Sequence, residues 1–372
     1  MQIKKALFIC NSKFLDNSFP EGGVKFCTDE YIRLIKKQFD VIAFAVDYSC
    51  SFFYKIKKKT GLAVYEDYEV EHYANAIKKS IIDNEIGYVF LNLTNTANFS
   101  VLIRNIAPQV KIILCSHGNE SGDFLHDIGL HNKYEQFKKR IAIYALGKML
   151  LKEQYFRKSI DLVLTVSDVE TNIEKWLGAQ KVFLVTRTFK QKTANPLPTK
   201  GRVGFIADLS HEPNYYGIRT VCEELGLRDA KITLRLVGFG SKRGELLQRE
   251  FSFVTYLGHL NDQDLDIEIN SWTFALNPVF YYSRGVSTKL GKMLGEGIPS
   301  ITTEKGLRGY SWHEGELPIA YTPKQMAGLM ITDASDAAKI DYYRNEVRKI
   351  QRSTPSLETM MTDIVKLLED EG

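Results

Sequence analysis

Apolar residues in this chain gather into short runs, and between those runs the spacing of apolar positions lengthens to a helical period. Runs at 6–10, 40–47, 87–93, 111–116, 162–167 and 182–186 are too short for buried helices and read as strands. Segments such as 28–37 and 72–82 place apolar side chains on one helical face. Strands alternating with amphipathic helices predict parallel sheets covered on both faces, an α/β class of fold. The rhythm breaks once, in the polar stretch 190–201, where Pro196 and Pro198 stand at alternate positions. It restarts at Val203-Gly204-Phe205-Ile206. A further amphipathic helix begins after Pro355 and ends in acidic residues. The expected organisation is a domain over 1–195, a second over 196–354, and a last helical segment over 355–372.

A length of 372 residues is enough for two domains that each bury a core. Hydrophobic content of 44% with 25% charged residues is that of a globular protein and excludes a disordered chain. The five cysteines, Cys10, Cys27, Cys50, Cys115 and Cys222, have no C-x-x-C spacing, so neither a disulfide framework nor a zinc cluster is expected. The first apolar run is too short for a signal peptide, and no stretch approaches the length of a membrane span. A cytoplasmic location is expected. Charge is uneven: residues 1–195 hold 28 Lys and Arg against 21 Asp and Glu, and the remainder 21 against 24. Basic residues cluster at 55–59 and along 137–158. A solvated helix face accounts for such clusters, as does attraction to an anionic membrane surface or a lipid-diphosphate acceptor. No nucleic-acid-binding module accompanies them.

Candidate chemistry concentrates in two places. The first is 279–306, in which a strand ending at Val279 leads through a glycine turn at Arg284-Gly285 to a helix opening at Val286-Ser287-Thr288-Lys289. That helix closes at Gly297-Ile298-Pro299, where another strand begins. A helix N-terminus with unpaired N–H groups, two hydroxyls and a lysine suits a diphosphate, because backbone donors and helix dipole both favour an anion. The second is the polar run 116–127 beyond the strand 111–115. Here His117, Glu120 and Asp123 stand where α/β folds place ligands. A metal set drawn from His117, Glu120, His126, Asp127 and His131 matches no standard zinc spacing.

G-V-x-x-K followed by G-I-P-S-I-T-T resembles the nucleotide-sugar-binding segment of GT-B glycosyltransferases of the family 4 kind. Val203–Leu209 with Pro213-Asn214, Leu236-Val237-Gly238-Phe239-Gly240, and Val254–Leu260 resemble pieces of that family's second domain. Gly22-Gly23-Val24 and Asp161–Ser167 resemble pieces of its first. The resemblance implies the GT-B fold: two doubly wound Rossmann-like domains, an interdomain cleft, and a C-terminal helix crossing back to the first domain. It also implies sugar transfer from a nucleoside diphosphate sugar to a saccharide or lipid-linked saccharide, in surface polysaccharide or glycolipid synthesis. The expected reaction is metal-independent, retaining and free of cofactors. Donor-side residues would be Gly22, Gly23, His211, Asn214, Gly240, His259, Leu260, Arg284, Gly285, Val286, Ser287, Thr288, Lys289 and Glu296. His117 would face the donor sugar. Glu120 and Asp123 would orient hydroxyls in a retaining enzyme, or one would act as general base in an inverting one. Lys289 and Arg284 would neutralise the leaving diphosphate.

The chain departs from the family at two positions that are usually glutamate, here Arg284 and Lys292. A lysine cannot accept the ribose O–H donors, and Glu296, one turn further, is the substitute acceptor at hand. The departure leaves two other readings open: a nucleotide-sugar epimerase of the same fold, and a non-catalytic partner of an active transferase.

Overall fold

The computed structural model describes residues 4–16, 18, 22–59, 64–130, 136–189, 197–228, 231–280, 285–310 and 316–370. The chain divides into two compact units, Met1–Thr186 with Pro355–Gly372, and Arg187–Thr354. The division falls ahead of the polar stretch 190–201 because Arg187 and Phe189 already pack within the second unit. Phe189 joins the cluster of Leu290, Leu294 and Leu317.

In the first unit the strands are β1 (Lys4–Asn11), β2 (Phe39–Val46), β3 (Tyr88–Asn92), β4 (Lys111–Cys115), β5 (Leu162–Thr165) and β6 (Val182–Leu184). Its helices begin with α1 (Ser12–Leu15), α2 (Gly23–Ile35), α3 (Phe52–Lys59) and α4 (Ala74–Asp83). They continue with α5 (Phe99–Ile106), α6 (Glu120–Leu130), α7 (Gln136–Arg157) and α8 (Asp168–Trp176). Among the described residues the strands form one parallel sheet in the order β2-β1-β3-β4-β5-β6. β1 reads as a continuous apolar run because helices cover both its faces, and Ala6 to Cys10 are fully buried. Leu7, Ile9, Val89, Leu91, Ile112 and Leu114 pack with Ile77, Phe99 and Ile103 to form the core of this unit.

The second unit contains β7 (Arg202–Ile206), β8 (Thr233–Val237), β9 (Val254–Gly258), β10 (Phe274–Asn277) and β11 (Ser300–Thr302). Its helices are α9 (Glu212–Gly226), α10 (Ser241–Glu250), α11 (Asp262–Asn270), α12 (Thr288–Gly295), α13 (Pro323–Asp333) and α14 (Ala337–Ser353). The sheet is parallel in the order β11-β10-β7-β8-β9. The last helix, α15 (Leu357–Glu369), belongs to the first unit, where it packs on α2 and buries Met360, Met361, Ile364 and Leu368. Lys37 pairs with Glu358, and Lys4 with Glu369, along that contact.

In a doubly wound sheet, ligands gather at the carboxyl edge where the strand order reverses. That point lies between β1 and β3 in the first unit and between β7 and β10 in the second.

Candidate active site

In the second unit the reversal point brings two expected residues together. Asn214 follows β7 on the first turn of α9, and Lys289 follows β10 on the first turn of α12. The Asn214 side chain donates to the Asp208 carbonyl at 2.8 Å, which fixes the amide so that its Oδ1 accepts from Lys289 Nζ at 2.7 Å. The ammonium also lies 5.9 Å from the centre of the Phe205 ring. Among the described residues no carboxylate pairs with it, and burial pulls its pKa down to about 8. A half-buried cation held by a neutral amide at a helix N-terminus retains its capacity to meet an anion.

Ser287 caps α12, its Oγ accepting from Leu290 N at 3.3 Å and donating to Asn277 Oδ1 at 3.1 Å. Tyr310 donates to the Ser287 carbonyl at 2.7 Å. The Ser287 hydroxyl therefore holds the helix start in place, and the backbone N–H groups of the first turn are the donors left for a ligand. Gly285 and Val286 lead into this cap, Gly285 with φ of 68°, and Thr288 is the first helical residue. Arg284 lies outside the described residues. Glu296 sits at the other end of α12, a helix about 12 Å long, away from the first turn that carries Lys289. Lys292, half-buried, occupies the turn between them.

Other loops at the same carboxyl edge carry the other residues of this unit expected on the donor side. Gly240 caps α10 with φ of 92°, and a Cβ there would come within 2.6 Å of Ser210 N, so the β8 loop can close on the β7 loop only with glycine. His259 stacks on Phe239, their rings 4.5 Å apart and 12° from parallel, and both are exposed. Phe239 falls inside the L-V-G-x-G motif, where attention goes to the glycines and not to the residue between them. Leu260 packs against Val237 and Leu265. His211 occupies the cap position of α9 without a side-chain capping bond.

In the first unit His117 follows β4. Its Nε2 lies 2.9 Å from Asn92 Oδ1, and its ring is 5.5 Å from that of Tyr31. Thr28 Oγ1 donates to the Val24 carbonyl, so it can only accept from Asn92 Nδ2 at 3.0 Å. Asn92 consequently turns its oxygen toward His117, and the neutral imidazole carries its proton on Nε2. Asn92 ends β3 beside Leu93, whose φ of 76° and ψ of 150° lie in a region normally left to glycine. Leu93 N donates to the Cys115 carbonyl and Thr94 Oγ1 to the Gly118 carbonyl, so this strained turn fixes the loop that carries His117.

Glu120 and Asp123, in the polar run after β4, lie on the first turn of α6. Asn119 causes this: its Oδ1 accepts from Gly122 N at 2.6 Å, which starts the helix. Asn119 is itself held by Glu153, a fully buried carboxylate of α7. Glu153 also accepts from Ser121 N and Oγ and from the Tyr65 hydroxyl. One turn on, Arg157 forms a wholly buried pair with Glu174 at 2.5 and 2.8 Å. Sequence reading passed over Glu153 because it is a single acid inside a basic helix, and Asn92 because it closes an otherwise apolar strand. Gly22 and Gly23 stand at the start of α2, where Lys25 is buried against Asp29 at 2.8 Å. The Asp127 side chain and His131 lie outside the described residues.

No family model and no curated protein matches the sequence. Solved structures do match over nearly the whole chain. Anabaena HepE in complex with UDP and glucose aligns with a TM-score of 0.63 at 13% identity, covering 98% of this chain and 99% of that one. Sucrose-phosphate synthase from Thermosynechococcus elongatus aligns at 0.70 and 14%, covering 98% of each. The lipopolysaccharide outer core galactosyltransferase WaaB, in its apo form, aligns at 0.63 and 12%, covering 98% of this chain and 99% of that one. At such identities the likeness is one of fold: the chain has the two-domain GT-B glycosyltransferase fold.

Proposed function

We infer that the chain is a glycosyltransferase that moves a sugar from a nucleoside diphosphate sugar to a saccharide or lipid-linked saccharide acceptor. The observation that carries this reading is the Lys289–Asn214 pair at the start of α12, set at the reversal point of a parallel sheet. In the reaction, the bond from the anomeric carbon to the diphosphate oxygen breaks and its electron pair leaves with the diphosphate. An acceptor oxygen forms the new bond and releases its proton. The developing charge on the diphosphate would be met by Lys289, Arg284 and the first N–H groups of α12, protein groups in place of a metal and with no cofactor. The stacked Phe239 and His259 rings offer a flat face at the neighbouring strand ends, suited to a nucleobase. UDP in HepE supports the nucleotide class, and WaaB supports a role in building surface polysaccharide or glycolipid.

Retaining transfer is the preferred stereochemistry, with Glu120 and Asp123 orienting hydroxyls and His117 meeting the sugar. The basic excess over 1–195 supports a cytoplasmic protein that touches the anionic inner face of the plasma membrane. No helix among the described residues is long and apolar enough to cross a membrane.

A screen of donor hydrolysis across nucleotide sugars, with the product anomer read by NMR, tests this reading. Turnover with an α-linked product from an α-linked donor is expected. Lys292, where a ribose-holding glutamate would stand, favours a second reading as a non-catalytic partner, and binding of no nucleoside diphosphate in calorimetry would select it. Conversion of the donor to its epimer without any acceptor would select an epimerase.

A further inference from the structure

The first unit carries an exposed apolar surface that the transfer chemistry does not use. On α3, Phe52 is 72% and Phe53 77% exposed, and Ile56, one turn on, is 45% exposed. Single exposed phenylalanines are ordinary, but these two rings stand 6.2 Å apart and keep a contiguous apolar tip in water. On α7, Tyr144, Leu151 and Tyr155 recur at helical spacing, each more than half exposed, with Gly147 between them. Arg140 and Lys158 flank that stripe at its two ends, also exposed.

The two surfaces belong together. Glu66 pairs with Lys57 of α3 at 3.2 Å and with Lys152 of α7 at 3.3 Å, tying one helix to the other. Burial alone would raise the Glu66 carboxyl, but hydrogen bonds from the two lysines outweigh it and hold it below its usual range. Charge on the two helices is one-sided. α3 has four lysines and no acid, and the single carboxylate of α7, Glu153, is buried in the α6 network. Lys57 and Lys58 share carboxylates with the following loop, and Lys55 is exposed beside them. Exposed aromatic and aliphatic side chains bordered by lysines and arginine match a headgroup layer, which presents acyl boundary and negative charge side by side.

We propose that α3 and the outer stripe of α7 form a bilayer-docking face for anionic lipid. Phe52, Phe53 and Ile56 enter the headgroup–acyl boundary, and the basic residues of both helices meet the headgroups. This names the surface behind the membrane contact of the proposed function and rests on that contact, not on the sugar chemistry.

The full chain is mixed with vesicles of phosphatidylcholine alone, or of phosphatidylcholine with phosphatidylglycerol, and floated on a density gradient. Co-flotation with the anionic vesicles is expected, with part of it surviving moderate salt because insertion is not screened. F52S/F53S should weaken it by roughly tenfold or more with an unchanged melting temperature, and L151S/Y155S should weaken it less. F53W should show a blue-shifted emission on anionic vesicles and quenching by brominated acyl chains. Unchanged flotation of F52S/F53S, or an F53W emission blind to vesicles, overturns the docking face. A wild-type dimer that F52S/F53S dissociates in light scattering assigns the face to a second copy instead. Donor turnover without vesicle binding removes the docking face and leaves the transferase reading, and vesicle binding without turnover does the reverse.

Discussion

Lys289 is held by a neutral amide, and that partner decides how its charge behaves. Burial has lowered its pKa to about 8, and a bound diphosphate would raise it again, since a nearby anion favours the charged form. The sign follows from linkage. Below about pH 8 the free side chain already carries its proton, and affinity for a nucleoside diphosphate is expected at its full value. Above it, binding must draw a proton from solution, and affinity falls by up to about tenfold per pH unit. Calorimetry at pH 9 in buffers of different ionisation enthalpy should record proton uptake in the wild type and none in Lys289→Met. Lys289→Ala should lower turnover by roughly 10²–10³-fold, as when one transition-state charge stabiliser is removed. Equal turnover in a folded variant would take the lysine out of the leaving-group role. His117 gives a second test at this scale. Nitrogen NMR of the ring should show the proton on Nε2 in the neutral form, because Thr28 and Asn92 leave no other arrangement. Asn92→Asp should raise the imidazole pKa by placing a carboxylate against that N–H.

At the scale of elements, α6 depends on a group contributed by α7. Four donors converge on Glu153, from Asn119, from the amide and hydroxyl of Ser121, and from Tyr65. Glu153→Ala leaves them buried without an acceptor, at a cost of about 3 kcal/mol. Glu153→Gln, which keeps one acceptor oxygen, should cost less. Hydrogen exchange should speed up at 119–123 in the alanine variant while β7–β11 exchange as before. Uniform acceleration across the first unit would instead mean that Glu153 supports that whole unit rather than the start of α6. The strands were legible in the sequence to within a residue or two, since a parallel strand covered on both faces is a continuous apolar run, and 111–115 or 162–165 has no competing reading. Helix α12 was legible too, from Gly285, Ser287 and Lys289 in succession. Partners far apart along the chain were not legible. Nothing local to Glu153 ties it to Asn119, and nothing local to Asn92 orients His117. Such contacts exist only once the sheet has set the strand ends side by side. The start of α6 was missed for a related reason. Asn119 is an ordinary capping residue, but the polar run after it hides the apolar period that would announce a helix.

For the molecule as a whole, the order of the pieces matters. α15 is covalently attached to the second unit and completes the first. Ending the chain at Thr354 removes Met360, Met361, Ile364 and Leu368 from the first unit's interior. At about 1.5–3 kcal/mol for each buried side chain, that loss rivals the entire stability of a typical domain. Truncation should therefore unfold the first unit and spare the second, giving protease-resistant fragments that map to 187–354. Ile364→Asp should do the same in milder form. Loss of both units together would show that they unfold as one.

This arrangement also has a consequence for biosynthesis. A ribosome finishes residues 1–186 and then makes 187–354 before α15 exists. At the usual pace of elongation that interval is roughly 10–30 s, during which the face of α2 that α15 will cover stays bare. Nascent chains stalled after Thr354 should therefore recruit holdase chaperones, and those released after Glu369 should shed them.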